Sequence, residues 1–415
     1  MVGGTGTFGV VTVPQSREEA EDRDAGDPVA ALRYEFELAD GEPIYLDGNS
    51  LGRQPRAAAG RVAAALGEWR TRLVGGWDDW IDLPSRVGDR IGRLVGAAPG
   101  QVVVSDSTTV NLFKLGLAAL DAGGGGIVGD GEDFPTVRYV LQGLAERTGR
   151  PLRWLPTDLD GAALLCLSAV NFRSATLADM AAVTAGAHRA GALVLWDLSH
   201  AAGCVPVDLD GCGADLAVGC TYKYLNGGPG APAWLYVRRE LQGLLRQPIW
   251  GWWGQRDPFA MADAYDPAPG TARFLAGTPN ILGIAAVDAG IDPLLSVGMP
   301  ALWDKTRALV ALLAARVDAL LVPLGARLAS PSDPDRRGGH LAVAHPGSSR
   351  AVRTLIERGE VVGDFRPPDV MRLAPVAAYT RFVDVWDAVD RIASVLADAA
   401  SGALGDRPAP RRRVT

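Results

Sequence analysis

Residues 221–230 read Thr-Tyr-Lys-Tyr-Leu-Asn-Gly-Gly-Pro-Gly, which places Lys223 in a glycine-rich turn. Upstream, residues 196–200 read Trp-Asp-Leu-Ser-His, so Asp197 ends an apolar run. Pyridoxal phosphate chemistry needs this pair, because a lysine amine forms a Schiff base with the cofactor aldehyde and an aspartate keeps the pyridine nitrogen protonated. Lys223 alone could equally be a surface lysine, the commonest fate of this residue type. The flanking sequence favours the cofactor site.

Composition narrows the class of protein. The chain has 415 residues and is 48% apolar, enough for a large core and two domains. A dispersed net charge of −7, without a basic stripe, argues against nucleic acid as a partner. No apolar run is long enough for a membrane span and no secretory signal is visible, so we expect a cytoplasmic protein. The four cysteines form no C-x-x-C pair, and no metal site is expected.

Apolar strands alternate with helical segments over the middle of the chain. Such runs predict an α/β fold whose mainly parallel sheet is covered on both faces. In these sheets ligands bind beyond the carboxyl ends of the strands, where Ser168 and Asp197 fall. From about residue 285 the pattern predicts a smaller α+β domain. The predicted division is a flexible arm (1–28), a large domain (57–285), a small domain (29–56 with 286–404) and a flexible tail (405–415).

Several side chains could complete a cofactor site, and each has a plainer interpretation. Thr108 and Thr109 start a helix, whose free N–H groups suit a phosphate, but hydroxyl residues at such a point are also ordinary caps. Phe134 could stack on the pyridine ring or belong to the core. Tyr222 could reach the phosphate and relay a proton. His200 could bond Asp197 or the cofactor ring, or be structural.

Two further features bear on the substrate. Residues 251–255, Gly-Trp-Trp-Gly-Gln, form either a packing plug or an aromatic wall for a planar substrate. Arg372 is a charge inside an apolar strand, where an arginine usually has a carboxylate partner. That partner is either a protein acid or the α-carboxylate of a substrate.

In this order the motifs resemble kynureninase, a fold-type I pyridoxal phosphate hydrolase of the class V aminotransferase superfamily. The resemblance runs from about residue 44 to 385, and Tyr-Leu-Asp-Gly-Asn-Ser-Leu-Gly at 45–52 is close to a family signature. It implies hydrolysis of L-kynurenine, or of a ring-substituted kynurenine, to an anthranilate-type product and L-alanine. It also implies a homodimer in which Trp252 and Thr278 reach into the neighbouring subunit's site.

The resemblance assigns the remaining roles residue by residue. Catalysis would fall to Lys223, Tyr222 and Asp197. The cofactor would be held by these three residues, by Thr108, Thr109, Phe134, Ser168 and His200, and by Trp252 and Thr278 of the neighbouring subunit. The substrate would contact Arg372, Trp252, Asn49, Ser50 and Gln255. The chain departs from the family pattern at Gln255, where a histidine is usual, and at Val137, where an aspartate is usual. Both changes bear on which substrate is preferred.

Other activities on the same fold are alternatives. A cysteine desulfurase needs a nucleophilic cysteine on a late loop, and no cysteine follows Cys220. An aminotransferase or lyase acting on a related β-keto or aromatic amino acid is less firmly excluded. A non-enzymatic scaffold would have no need to keep Lys223, Asp197 and Arg372 together.

Overall fold

A computed structural model describes residues 12–400. The strands are, in chain order, β1 (Ile44–Tyr45), β2 (Val102–Val104), β3 (Gly126–Asp130), β4 (Leu152–Leu155), β5 (Ala162–Ser168), β6 (Leu193–Asp197), β7 (Leu216–Gly219), β8 (Trp234–Val237), β9 (Arg327–Leu328), β10 (Leu341–Ala344), β11 (Val361–Val362), β12 (Asp364–Arg366) and β13 (Val370–Leu373).

The α-helices lie mostly between these strands. They are α1 (Arg17–Ala25), α2 (Arg56–Arg72), α3 (Trp77–Trp80), α4 (Leu83–Val95), α5 (Thr108–Ala122), α6 (Pro135–Thr148), α7 (Met180–Arg189), α8 (Arg239–Gln242), α9 (Ile281–Val297), α10 (Met299–Arg316), α11 (Ser348–Glu357) and α12 (Phe382–Ala400).

A seven-stranded sheet forms the centre, in the order β2-β8-β7-β6-β5-β3-β4. The run from β7 to β4 is parallel, and β8 is antiparallel to both of its neighbours. Successive residues of β6 point into different cores, Leu195 into one and Trp196 into the other, so helices cover both faces. This is the mainly parallel α/β sheet predicted from continuous apolar runs.

A second sheet, antiparallel and four-stranded, has the order β12-β13-β10-β9 and its own core with α10, α11 and α12. The early strand β1 pairs with β11, and the Leu46 carbonyl accepts a hydrogen bond from Ala374 N at 2.7 Å. Residues 44–46 therefore join the late part of the chain. The exact division into two domains stays a prediction.

The N-terminal segment differs from the loose arm that the sequence suggested. Residues 17–25 form α1, whose first turn is capped by the Ser16 hydroxyl. The Asp24 carboxylate accepts hydrogen bonds from the N–H groups of Phe382 at 2.7 Å and Val383 at 3.0 Å, at the start of α12. These caps could not be recognised in the polar sequence of residues 1–28, because a polar residue that caps a helix cannot be distinguished by sequence from one that faces solvent. Residues 1–11 and the predicted tail, 405–415, lie outside the described residues.

Within residues 12–400, no helix combines the length and the apolar content that a membrane crossing requires.

Asp215 fixes the ends of three strands opposite the predicted site. It is fully buried just before β7, and its Oδ2 accepts a hydrogen bond from Val194 N of β6 at 2.9 Å. The same oxygen lies 2.8 Å from His188 Nε2, and Oδ1 lies 2.9 Å from an Arg238 nitrogen just after β8. One carboxylate thus ties together the strands that lead to Asp197 and Lys223.

Replacing Asp215 with alanine is expected to lower the free energy of unfolding by about 2–3 kcal/mol, since the buried Val194 N–H, the His188 ring and the Arg238 guanidinium lose their acceptor. Urea unfolding measures the loss. Asp158→Ala is the control, because the Arg153–Asp158 pair is exposed, and it should cost less than about 1 kcal/mol. Equal losses in the two variants would contradict this role for Asp215.

Candidate active site

The predicted cofactor residues meet at the carboxyl edge of the central sheet. Ser168 and Asp197 end β5 and β6 as register partners, and Lys223 follows β7. A cavity of about 130 Å³ opens there. Eight of the ten residues predicted to hold the cofactor line it: Thr108, Thr109, Phe134, Ser168, Asp197, His200, Tyr222 and Lys223. Their roles stay predictions, but the chain brings them to one place.

Lys223 is half-buried in this cavity. Its Nζ lies 3.3 Å from His200 Nε2 and 5.8 Å from the centroid of the Phe134 ring. Burial lowers the pKa of Lys223, and the positive charge of Arg372 acts in the same direction. A lowered pKa increases the fraction of neutral amine, which is the nucleophilic form.

His200 is buried and contacts the lysine rather than Asp197. Burial, together with the charge of Lys223, lowers the pKa of His200 well below its ordinary value. The imidazole is therefore neutral and can accept a hydrogen bond from the Lys223 amine. Asp197 instead uses Oδ1 to accept a hydrogen bond from Ser199 N at 2.8 Å.

Asp133 lies behind the cavity wall, in contact with Ser168, and the sequence reasoning missed it. It is almost fully buried, and its Oδ2 accepts a hydrogen bond from Ser168 N at 3.0 Å. Burial raises the pKa of Asp133 to about 6, and the charge of Asp197 adds to the shift. Its signal was available, because Asp133 follows β3, where polar residues at the carboxyl end of a parallel strand mark a site.

The start of α5 has the geometry of an anion site. Capping is done by Ser107, whose hydroxyl accepts a hydrogen bond from Val110 N at 3.3 Å. Thr108 and Thr109 are left to line the cavity, so their capping interpretation does not hold. The unpaired N–H groups of the first turn and the helix dipole both favour a phosphate at this point.

Phe134 is not a core residue. It is 38% exposed, and its ring packs edge-on against Phe172 at 5.2 Å between centroids. Phe172 holds the ring in place, and the ring lies in the cavity with Lys223, so it can stack on a planar group there. An amine, a carboxylate, a phosphate-binding helix start and an aromatic face together fit pyridoxal phosphate.

Arg372 pairs with a protein acid. It is 1% exposed. Its Nε donates to Asp364 Oδ1 at 2.7 Å, and its Nη2 donates to Asp364 Oδ2. Its Nη1 donates to the Phe172 carbonyl at 2.5 Å. Burial alone would raise the pKa of Asp364, but Arg372 and Arg366 hold it below its ordinary value. Of the two partners expected for Arg372, the structure contains the protein carboxylate.

Ser50, also predicted to bind substrate, bonds to this pair, and neither it nor its neighbour Asn49 lines the cavity. The Ser50 hydroxyl donates to Asp364 at 3.0 Å and accepts from Arg372 at 3.3 Å. Asn49 is fully buried, and neither atom of its amide has a hydrogen-bond partner among residues 12–400. Nearby, burial and the charge of Asp364 raise the pKa of Asp47 to about 7.

The signature at 45–52 is packed onto the lysine turn. Gly52 N donates to the Tyr222 carbonyl at 2.8 Å. A Cβ on Gly52 would lie 2.2 Å from the Lys223 carbonyl oxygen, so no larger residue fits. This contact fixes the cluster of Ser50, Asp364 and Arg372 beside the cavity.

Three predicted residues lie elsewhere in the single chain. Trp252 is 40% exposed and packs edge-on against Trp253, whose ring is buried. Thr278 lines a separate cavity of about 280 Å³. Gln255 is occupied locally, since its Oε1 accepts a hydrogen bond from Asp266 N at 2.6 Å. Of the departures at Val137 and Gln255, Val137 is a core residue of α6, and Gln255 bonds within its own loop.

Comparisons with known proteins agree with this geometry. Residues 302–392 match the family model of the kynureninase C-terminal domain. The chain is similar to the kynureninase of Burkholderia pseudomallei strain 1106a, with 44% identity over 400 residues, 92% of this chain and 96% of that protein. It is also similar to the Pseudomonas fluorescens kynureninase, with 42% identity over 391 residues, 90% and 94% of the two chains.

Solved structures share the fold at low sequence identity. The apo cysteine desulfurase of Thermococcus onnurineus NA1 has a TM-score of 0.77 at 19% identity, covering 88% of this chain and 98% of that one. A C-DES variant with glycine covalently linked to its PLP cofactor has a TM-score of 0.76 at 18% identity, covering 87% and 98%. These likenesses establish the fold-type I architecture. The 44% identity over 92% of the chain shows more than a shared fold: the chain belongs to the kynureninase family.

Proposed function

We propose that this chain uses pyridoxal phosphate to hydrolyse the Cβ–Cγ bond of L-kynurenine, or of a ring-substituted form such as 3-hydroxykynurenine, giving an anthranilate-type product and L-alanine. The observation that carries the proposal is the cavity in which Lys223, Asp197, Phe134 and the start of α5 converge. Kynureninase relatives of nearly equal length support the substrate class. A cytoplasmic location stays a prediction.

Lys223, Asp197 and Tyr222 would each have a different role in the reaction. Bound pyridoxal phosphate supplies an electron sink for the amino acid joined to it. Lys223 removes and returns protons at the substrate α-carbon, a task that suits an amine of lowered pKa. Asp197 holds the proton on the pyridine nitrogen. Burial raises the pKa of Tyr222, so its phenol keeps its proton and can donate it to an oxygen at the cavity wall.

Substrate binding would use the buried charge cluster beside the cavity. Arg372 offers a guanidinium fixed by Asp364 and by the Phe172 carbonyl. A substrate carboxylate would have to share Arg372 with Asp364, with Ser50 placed to bond either one. This arrangement holds the cation rigid before the substrate arrives, which reduces the entropy lost on binding.

A desulfurase activity has no support among the described residues. Cys166, Cys204 and Cys220 are buried, and burial raises the pKa of each thiol. A buried thiol with a raised pKa is a poor nucleophile. Across residues 12–400, none of the cysteines lines the cavity that contains Lys223.

We also propose a homodimer with shared sites. An apolar groove of about 320 Å³ lies between α2 and the start of α9, and Trp69, Leu73 and Val74 in it are 59%, 63% and 80% exposed. Trp77 at its edge packs against Trp253, which packs against Trp252. An aromatic surface that continues to Trp252 suits a second copy of the chain, which would receive Trp252 and Thr278.

Cofactor attachment has a direct chemical test. Borohydride reduction of the holoenzyme, followed by digestion and mass spectrometry, is expected to tag Lys223 and leave Lys114 and Lys305 unmodified. Lys223→Ala should keep the circular dichroism spectrum and lose at least about 1000-fold in kcat, measured by fluorescence of the anthranilate product. A tag on either of the other lysines would show that the assignment is wrong.

Asp197 and Asp133 should differ in what they contribute. Asp197→Asn is expected to lower kcat by about 100-fold or more with a small change in cofactor affinity, because an amide cannot hold the pyridinium proton. Asp133→Asn is the matched control, since its carboxyl already has a raised pKa and mainly accepts the Ser168 N–H. Comparable kcat values for wild type and Asp197→Asn would remove this role for Asp197.

The dimer prediction concerns the apolar groove. Val74→Glu is expected to shift the protein toward monomer in multi-angle light scattering and to lower activity in parallel, because a charge would be buried against the second copy. Val322→Glu, at an apolar residue that is 43% exposed and lies outside the groove, is the control and should stay dimeric. A monomeric wild type with full activity would contradict the shared sites.

A further inference from the structure

Lysine is scarce in this chain, and two of its three lysines have no role in the function proposed above. Of 41 basic residues only three are lysines, at positions 114, 223 and 305. Lys114 is fully buried in α5, the helix whose first turn lines the cavity. A buried ammonium is costly unless its three N–H bonds have acceptors, so its partners show what it does.

Lys114 has one acceptor for each of its three N–H bonds. Its Nζ lies 2.6 Å from Asp106 Oδ2 and 3.2 Å from the Ser105 hydroxyl oxygen. The Phe274 carbonyl is the third acceptor. Burial lowers the pKa of Lys114 and Asp106 opposes that effect, as expected for a paired internal cation.

The carboxylate of Asp106 lies next to the proposed phosphate site, where a negative charge is unfavourable. It directly precedes Ser107, Thr108 and Thr109, which line the cavity at the proposed phosphate site. Its backbone is left-handed, with φ of 46°, a conformation that aspartate and asparagine tolerate better than most residues. On its other side it borders the separate cavity that contains Thr278. A negative charge at this point repels a phosphate that binds to the helix start.

We propose that Lys114 is a positioning residue of the phosphate site, which it keeps competent by neutralising Asp106 next to the start of α5. The inference rests on the proposed function, because it takes the helix start to be the cofactor's phosphate site. Asp106 in turn receives the Ser105 hydroxyl at 2.6 Å, and Ala233 N donates to its carbonyl at 2.9 Å. The side chain and the backbone carbonyl of Asp106 are therefore both held by hydrogen bonds, and Lys114 neutralises its charge from the side away from the cavity.

The charge can be separated from the packing by a pair of substitutions. Lys114→Met keeps the length of the side chain and leaves Asp106 unpaired, so the apparent Kd for pyridoxal phosphate should rise by about tenfold or more. Adding Asp106→Asn removes the stranded charge and tolerates the same backbone, so the double variant should recover most of the lost affinity. The Phe274 carbonyl stays without its donor in both variants, so recovery isolates the charge.

The measurement is a titration of cofactor-free full-length protein, followed by the visible Schiff-base absorbance. Pyridoxal, which lacks the phosphate, is titrated in parallel, and its apparent Kd should change less than about twofold in every variant. Lys305→Met is the matched control, because Lys305 is also a buried lysine in an ion pair, with Asp27 at 2.7 Å, and does not line the cavity. It should leave both affinities unchanged.

The titrations distinguish a failure of the proposed function from a failure of the role given to Lys114. A wild type that binds neither compound would overturn the proposed function, and this inference with it. A normal wild type in which Lys114→Met weakens pyridoxal and pyridoxal phosphate equally, or in which Asp106→Asn fails to restore the double variant, would overturn this inference alone. If Lys114→Met does not fold, Asp106→Asn alone decides: unchanged or tighter phosphate-dependent binding supports the neutralising role, and tenfold weaker binding overturns it.

Discussion

The contact between Gly52 and the Lys223 turn is the constraint on which the site depends. The two backbones approach so closely that a single methyl group on Gly52 would overlap the Lys223 carbonyl. Because Gly52 lies two residues after Ser50, this contact brings the 45–52 segment, and Arg372 bound to Ser50, to the side of the cavity. Segments far apart in sequence thus converge within a single polar cluster.

The second constraint is the common edge of the parallel strands. Ser168 and Asp197 are register partners, so β5 and β6 end side by side. Asp133, which follows β3, accepts a hydrogen bond from Ser168 N. The parallel arrangement therefore supplies the proposed cofactor side of the site by topology alone. The proposed substrate side has another origin, since Asp364 and Arg372 come from the antiparallel sheet.

Much of this could be predicted from sequence, for a physical reason. Asp197 and Ser168 end apolar runs, and Lys223 lies in a glycine-rich turn, so local pattern and strand topology were enough to place them. Partners set by tertiary contacts could not be read in the same way. The pairing of Arg372 with Asp364 needs the register of β12 against β13, and the capping of α12 by Asp24 spans most of the chain. Gln255 was noticed as a departure, but its hydrogen bond to Asp266 depends on a loop closure that no periodicity reveals.

The near absence of lysine has a chemical consequence of its own. Pyridoxal phosphate is an aldehyde, and in most proteins it condenses slowly with many exposed side-chain amines. Here Lys114 and Lys305 are buried in ion pairs, and the remaining lysine opens into the cavity. Arginine carries the rest of the positive charge without offering a comparable nucleophile. Among side-chain amines, the protein presents its aldehyde cofactor with a single place to react, so excess cofactor, reactive sugars or amine-directed cross-linkers would find little else to modify.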